Sequence, residues 1–330
     1  MSATATMRSI AVCAAVAAAL VAAPAARAQS FPAKPIRIIA PYTAGGAADL
    51  LSRFLCEKFP AAMGQPCVVE NRPGAGGIIG FDLVAKSEPD GHTLVMAPNN
   101  LAIIPILPSL YPKVPYDTLR DLAPIALVAS TPIMVGAHPA FPAQSFPELI
   151  AYARANSGKV NFTTCGPASP QHLAGEMLAS RAGFTWIHVP YKGCGDALTA
   201  VVGGTVPVFI STVAHFNPQI KSGKLRGFAV LGPTRSQFAP DYPTVAESGV
   251  PGYEVTNWHG LIGPKGLPRP VVERLNAEMN KILRQKEMEE RLQTEGVAPA
   301  GGTPEQLYEQ VRKEIEVWNG VVTRAGIKIN

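Results

Sequence analysis

Nine residues, Pro41–Asp49, reading P-Y-T-A-G-G-A-A-D, constrain this chain more than any others. The run before them, Ile36-Arg37-Ile38-Ile39-Ala40, is apolar, β-branched and of strand length. The run after them, Leu50-Leu51-Ser52-Arg53-Phe54-Leu55, has helical spacing. The stretch is therefore a strand-to-helix loop. Gly45 and Gly46 carry no Cβ and let backbone approach a ligand closely. The first turn of a helix leaves N–H groups unpaired, and the helix dipole adds partial positive charge there. Such a loop suits a carboxylate or a phosphate. The competing reading is an ordinary turn with Asp49 as a capping residue, and the loop alone does not separate the two.

The pattern recurs at once. Cys67-Val68-Val69-Glu70 reads as a strand, Asn71-Arg72-Pro73-Gly74 as a turn, and Gly76-Gly77 as the opening of a helix towards Lys86. Thr93-Leu94-Val95-Met96 is the next strand and ends in Pro98-Asn99-Asn100. Parallel strands that end in Gly- or Asn-rich loops describe an open α/β domain, with ligand at their carboxyl ends. Two apolar strands, Pro124–Ala129 and Ile133–Ala137, are split by Thr131-Pro132 and read as a crossing into a second domain. That domain repeats the logic. The loop Cys165–Pro170 follows strand Val160–Thr164, and Tyr191–Gly195 follows Ile187–Pro190. A further strand, Val206–Ile210, ends in Ser211-Thr212. The loops form matching pairs, so two lobes can face each other across a cleft. Tyr253–Gly263 reads as a strand that crosses back. Two helices follow, with apolar stripes Val272, Leu275, Met279, Ile282 and Leu307, Val311, Ile315, Trp318, Val322, both expected to pack on the first lobe. Thr303-Pro304-Glu305-Gln306 is a capping box that opens the second.

Residues 1–28 read as an export signal: Arg8 as the basic segment, Ile10–Ala23 as the apolar segment and Ala26-Arg27-Ala28 as the cleavage site. The expected product begins near Gln29 in the periplasm. Cleavage removes two arginines and no acid, which lowers the formal charge from +5 to about +3. That mild, scattered charge excludes nucleic acid as the expected partner. Four cysteines remain: Cys56, Cys67, Cys165 and Cys194. In an oxidising compartment they permit two disulfides in any of three pairings, and four buried thiols are the alternative. The pairs on adjoining elements are Cys56–Cys67 and Cys165–Cys194.

With these residues in place, the chain resembles the Bug family, the substrate-binding receptors of tripartite tricarboxylate transporters. The matching segments are Pro35–Asp49, Gly64–Gly80, Pro89–Leu94, Pro115–Pro124, His172–Glu176, His188–Gly193, Gly223–Val230, Asp241–Tyr253, Trp258–Pro264 and Gly302–Gln306. They run in order along nearly the whole exported chain. The resemblance implies a type II-like periplasmic binding protein fold: two α/β lobes, two crossing segments and a ligand cleft between the lobes. The expected lobes are 29–131 with 254–330, and 132–253. The resemblance also implies a small carboxylate ligand held largely by backbone N–H groups and ordered water, permease subunits in the membrane as partners, and no cofactor or catalytic residue. The chain is expected to be a monomer and to hold no metal. Cys165 and Cys194 stand where relatives carry small residues such as Ser or Gly.

The expected ligand contacts in the first lobe are Tyr42, Thr43, Ala44, Gly45, Gly46, Asp49, Gly76, Gly77 and Asn99, with Asp49 bracing its loop from behind. In the second lobe they are Gly166, Ser169, His172, Tyr191, Lys192, Gly193 and Ser211. Asn100 offers a further polar contact. Trp258 and His259 either line the pocket or pack the crossing segment. Arg72 has a structural place in its turn. Two other functions are open: a sensor that feeds a signalling partner, and an ester or thioester hydrolase with Cys165 as nucleophile and His172 as base. No H-E-x-x-H spacing, G-x-G-x-x-G loop or Walker lysine is present.

Overall fold

The computed structural model describes residues 31–325 except 43, 108–112, 168 and 192. The export signal, Thr43 and Lys192 therefore lie outside the described residues. The chain first runs through β1 (Ile36–Ala40), α1 (Ala47–Met63), β2 (Cys67–Asn71), α2 (Ile78–Ala85), β3 (Thr93–Pro98), α3 (Asn100–Ile103), α4 (Thr118–Asp121) and β4 (Leu122–Thr131). It continues through β5 (Ile133–Ala137), α5 (Phe146–Ala155), β6 (Asn161–Thr163), α6 (Pro170–Ala182), β7 (Ile187–His188), α7 (Cys194–Val202), β8 (Val208–Thr212), α8 (Val213–Lys221) and β9 (Arg226–Val230). It ends with β10 (Asn257–Pro264), α9 (Arg269–Leu283), α10 (Lys286–Thr294), β11 (Ala298–Pro299) and α11 (Pro304–Ala325).

Two mixed sheets result, ordered β11-β4-β10-β3-β1-β2 and β7-β6-β8-β5-β9. In the first, β1 lies parallel between β2 and β3, and β10 runs antiparallel between β3 and β4. In the second, β6 lies parallel between β7 and β8, and β5 runs antiparallel between β8 and β9. The sheets share one plan, with β6 in the place of β1. The loops that leave β1 and β6 are thus equivalent, as are those that leave β2 and β7. The chain passes between sheets at Pro132 and returns between Val230 and Asn257.

Both faces of each sheet are covered, so the central strands read as continuous apolar runs. Ile36, Ile38, Leu55 and Phe59 pack with Leu275 and Met279 on one face of the first sheet. Ile39, Phe81, Trp258, Leu307 and Val311 fill the other. In the second lobe, Phe162, Leu173, Phe146 and Tyr253 form the larger core, and Phe209, Phe216 and Val201 the smaller.

Several elements depart from the expectation. Helix α8 starts directly where β8 ends and is not among the expected elements. Helix α10 stands between the two expected C-terminal helices. On α9 the buried residue is Val271 rather than Val272. The stripe of α11 does not pack on the first lobe alone. Leu307 and Val311 enter the first core, whereas Trp318 and Val321 enter the second.

Candidate functional site

A cleft lies between the carboxyl ends of the two sheets. It has two connected compartments of about 990 and 660 Å³, which share Tyr42, Asn100, Cys165 and Pro170 in their walls. Three helices begin there. Gly45 to Ala48 at the start of α1, Pro170 and Gln171 at the start of α6, and Gly193 and Cys194 at the start of α7 all line the inner compartment. These helices are 17, 13 and 9 residues long. Their first-turn N–H groups and dipoles give the cleft a positive backbone field. No lysine or arginine lines either compartment among the described residues.

The loop after β1 owes its shape to two features. Gly45 has φ +85°, a region that costs other residues strain. Gly46, the N-cap of α1, is extended at φ −78° and needs no glycine for conformation. Asp49 then reaches back from the first turn. Its Oδ2 accepts from the Gly45 N–H at 2.9 Å and Arg53 Nε at 3.0 Å. Its Oδ1 accepts from Arg53 Nη2 at 2.9 Å and Asn71 Nδ2 at 3.0 Å. Asp49 is 2% exposed and its carboxylate is fully used, so it braces the loop and lies outside both cleft walls. The guanidinium of Arg53 holds its pKa below the usual carboxylate value. Gly77, at φ +106°, is buried. A Cβ there would come within 3.0 Å of Phe81 and 3.4 Å of Pro41, so it lets α2 pack against the loop.

Of the other expected contacts, Tyr42, Gly76, Gly166, Ser169, Tyr191 and Gly193 line the cleft. Ala44 is exposed and outside both walls. Asn99 is fully buried and turned away, with Nδ2 donating to the Thr256 carbonyl at 3.0 Å. The neighbouring Asn100 faces the cleft, and its amide donates to the Gly76 carbonyl and the Tyr42 hydroxyl. Arg72 pairs with Glu70, as its structural reading required.

Ser211 and His172 lie beneath the second-lobe loops. Ser211 is buried and hydrogen-bonds the His215 Nδ1 at 2.8 Å. His215, on the unexpected helix α8, also meets Thr212 at 3.0 Å and reaches the cleft wall. His172 stacks on His188 with ring centroids 3.9 Å apart, and Thr164 hydrogen-bonds His188 at 2.9 Å. Burial pushes these histidines down to about 3 and about 4, and pushes Glu176 up to about 7. Glu176 Oε1 lies 3.8 Å from His172 Nε2, but the imidazole is uncharged at neutral pH, so this contact is no ion pair there.

This cluster yields a pH prediction. In the unfolded chain Glu176 ionises near 4.5, whereas in the fold it holds its proton until about 7. Stability is therefore lost as pH rises through that window. Glu176→Gln removes the loss. The variant should match the natural protein at pH 4.5 and exceed it by about 3 kcal/mol at pH 8. Urea unfolding at both values measures this, and an advantage independent of pH would contradict it.

Both disulfides form: Cys56–Cys67 joins α1 to β2, and Cys165–Cys194 joins the loop after β6 to the start of α7. Cys165, Cys194 and His215 place their donor atoms within 4.8 Å of one another. The disulfide consumes both thiols, so the group holds no metal in this state. For the same reason Cys165 is no nucleophile.

An open cleft at the switch points of two equivalent α/β lobes, walled by helix starts, is the architecture of the periplasmic binding protein class. The chain belongs to the tripartite tricarboxylate transporter family receptors, whose family model matches residues 51–327. It is 36% identical over 302 residues to protein BugT of Bordetella pertussis, covering 92% of each chain. The solved periplasmic binding protein BugD superposes with a TM-score of 0.74 at 33% identity, over 90% of this chain and 99% of that one. An R. palustris protein, Rpa4515, solved with adipate, superposes with a TM-score of 0.78 at 30% identity, over 90% and 99%.

Proposed function

We propose that this protein is an extracytoplasmic receptor that captures a small carboxylate between its lobes and delivers it to membrane permease subunits. The observation that carries the reading is the convergence of three helix starts on a cleft without a described side-chain cation. Backbone donors there suit a carboxylate. The adipate complex of Rpa4515 supports the ligand class, and the family supports the permease partner. In this reading residues 1–28 direct export to the periplasm, residues 29–131 with 254–330 form one lobe, and residues 132–253 form the other. The receptor works as a monomer. No described helix is long and apolar enough to cross a membrane, so transport falls to separate subunits.

A thermal-shift screen of carboxylic acids tests the proposal. An acid at a hundred times its dissociation constant should add about 2.7 kcal/mol of stability. Its methyl ester should add nothing. Stabilisation by ester and acid alike, or by no acid at all, would overturn it.

A further inference from the structure

The floor of the inner compartment is one face of the crossing strands. Thr131 stands opposite Asn257 in the β4–β10 ladder, and His259 stands opposite Ala129 on β4 and Pro98 on β3. Alternate residues share a face, so Thr131, Asn257 and His259 point the same way. All three line the compartment, beside Leu51, Phe54 and Val297. Thr131 and His259 are 6% and 5% exposed. Oγ1 of Thr131 and Nδ1 of His259 have no hydrogen-bond partner within the protein. Oδ1 of Asn100, on the wall between the compartments, has none either. Buried polar groups are nearly always paired, because leaving them unpaired is costly. Three such atoms around one cleft mark what its occupant supplies.

Their chemistry narrows that occupant. A threonine hydroxyl both donates and accepts, a neutral imidazole does the same through its two nitrogens, and an amide oxygen only accepts. Burial pushes His259 down to about 4, so the ring is uncharged at neutral pH. The other titratable groups on the inner wall are His215, also lowered by burial, the Tyr42 phenol, and Glu295 at the exposed rim. A second carboxylate on this floor would be desolvated among apolar side chains and against an acceptor, with no lysine or arginine among the described lining residues.

We infer that the strand floor of the inner compartment receives the far end of a monocarboxylate whose carboxylate sits at the helix starts of the same compartment, and that this end carries an uncharged hydrogen-bonding group, such as a hydroxyl, held by Thr131 and His259. This rests on the carboxylate reading above and adds the ligand's other half.

Calorimetry with three probe classes tests it: 6-hydroxyhexanoate and 4-hydroxybenzoate, hexanoate and benzoate, and the diacids adipate and terephthalate. The hydroxy acids should bind at least tenfold tighter than the diacids of the same skeleton. Thr131→Val should weaken a hydroxy acid about tenfold and leave the plain acid unchanged, and Thr131→Ser should restore it. His259→Phe should act as Thr131→Val does. If the diacids bind best, or Thr131→Val weakens all classes equally, this inference is wrong while the carboxylate reading stands. If no acid of any class binds, the carboxylate reading falls and takes this inference with it.

Discussion

Asp49→Ala should cost about 3–4 kcal/mol of stability and at least a hundredfold in carboxylate affinity. The carboxylate is buried and binds four donors from three places: the Gly45 N–H, Arg53 twice and Asn71. A hydrogen bond to a charged group contributes about 1.5–3 kcal/mol, and removing one partner of a buried pair costs about 3–5. Arg53 is half exposed and regains water, which keeps the loss below that ceiling. The affinity loss has a separate cause. Asn71 Nδ2 also donates to the Tyr42 carbonyl, so Asp49 ties the end of β2 to the loop after β1. Without it, Gly45 and the start of α1 lose the geometry that aims their N–H groups. Asp49→Asn keeps the shape and one acceptor, so it should lose about 1–2 kcal/mol. The pH dependence has a definite sign. The pKa of Asp49 is lowered by folding, so its contribution is present above the unfolded value of 3.8 and lost as pH falls through the folded one. Urea unfolding and calorimetry on the folded variants measure both effects. Unchanged affinity in Asp49→Ala would show that this loop does not hold the ligand.

Removing the Cys165–Cys194 disulfide with paired serines should also cost about 3–4 kcal/mol, because its bridge spans 29 residues and limits the unfolded chain. The Cys56–Cys67 bridge spans 11 residues and should cost about 3. The two differ in function. Cys165 and Cys194 line the cleft and fix the loop after β6 against the start of α7, so their loss should weaken carboxylate binding about tenfold or more. Cys56 lies in the middle of α1 and Cys67 at the far end of β2, so their loss should leave affinity unchanged. Equal affinity losses in the two double variants would show that the cleft disulfide serves stability alone.

The loops that build the cleft were legible because their signals are local. An apolar strand, a glycine-bearing turn and helical spacing follow one another within about twenty residues, and the two lobes repeat the order. The matched loops after β1 and β6, and after β2 and β7, follow from that repeat. Helix α8 was not legible. Its N-cap, Thr212, is also the last residue of β8, and Pro218 lies inside it, so no turn separates strand from helix and a proline interrupts the pattern. His215 went unseen with it. Helix α10 buries only Met288 and Leu292, too few residues for a stripe. Asn99 and Asn100 differ by one place where strand gives way to helix, and there neither period decides which side chain faces the cleft. The floor was hidden for another reason. Thr131 and His259 meet only through the register of β4 against β10, which no local pattern encodes.

A crystal structure with the tightest acid from the thermal-shift screen tests the carboxylate cradle most directly. Backbone capture requires the carboxylate oxygens within about 2.7–3.2 Å of N–H groups at the start of α1 and at the start of α6 or α7. A carboxylate paired instead with the side chain of Lys192 or Arg72, away from those helix starts, would contradict it.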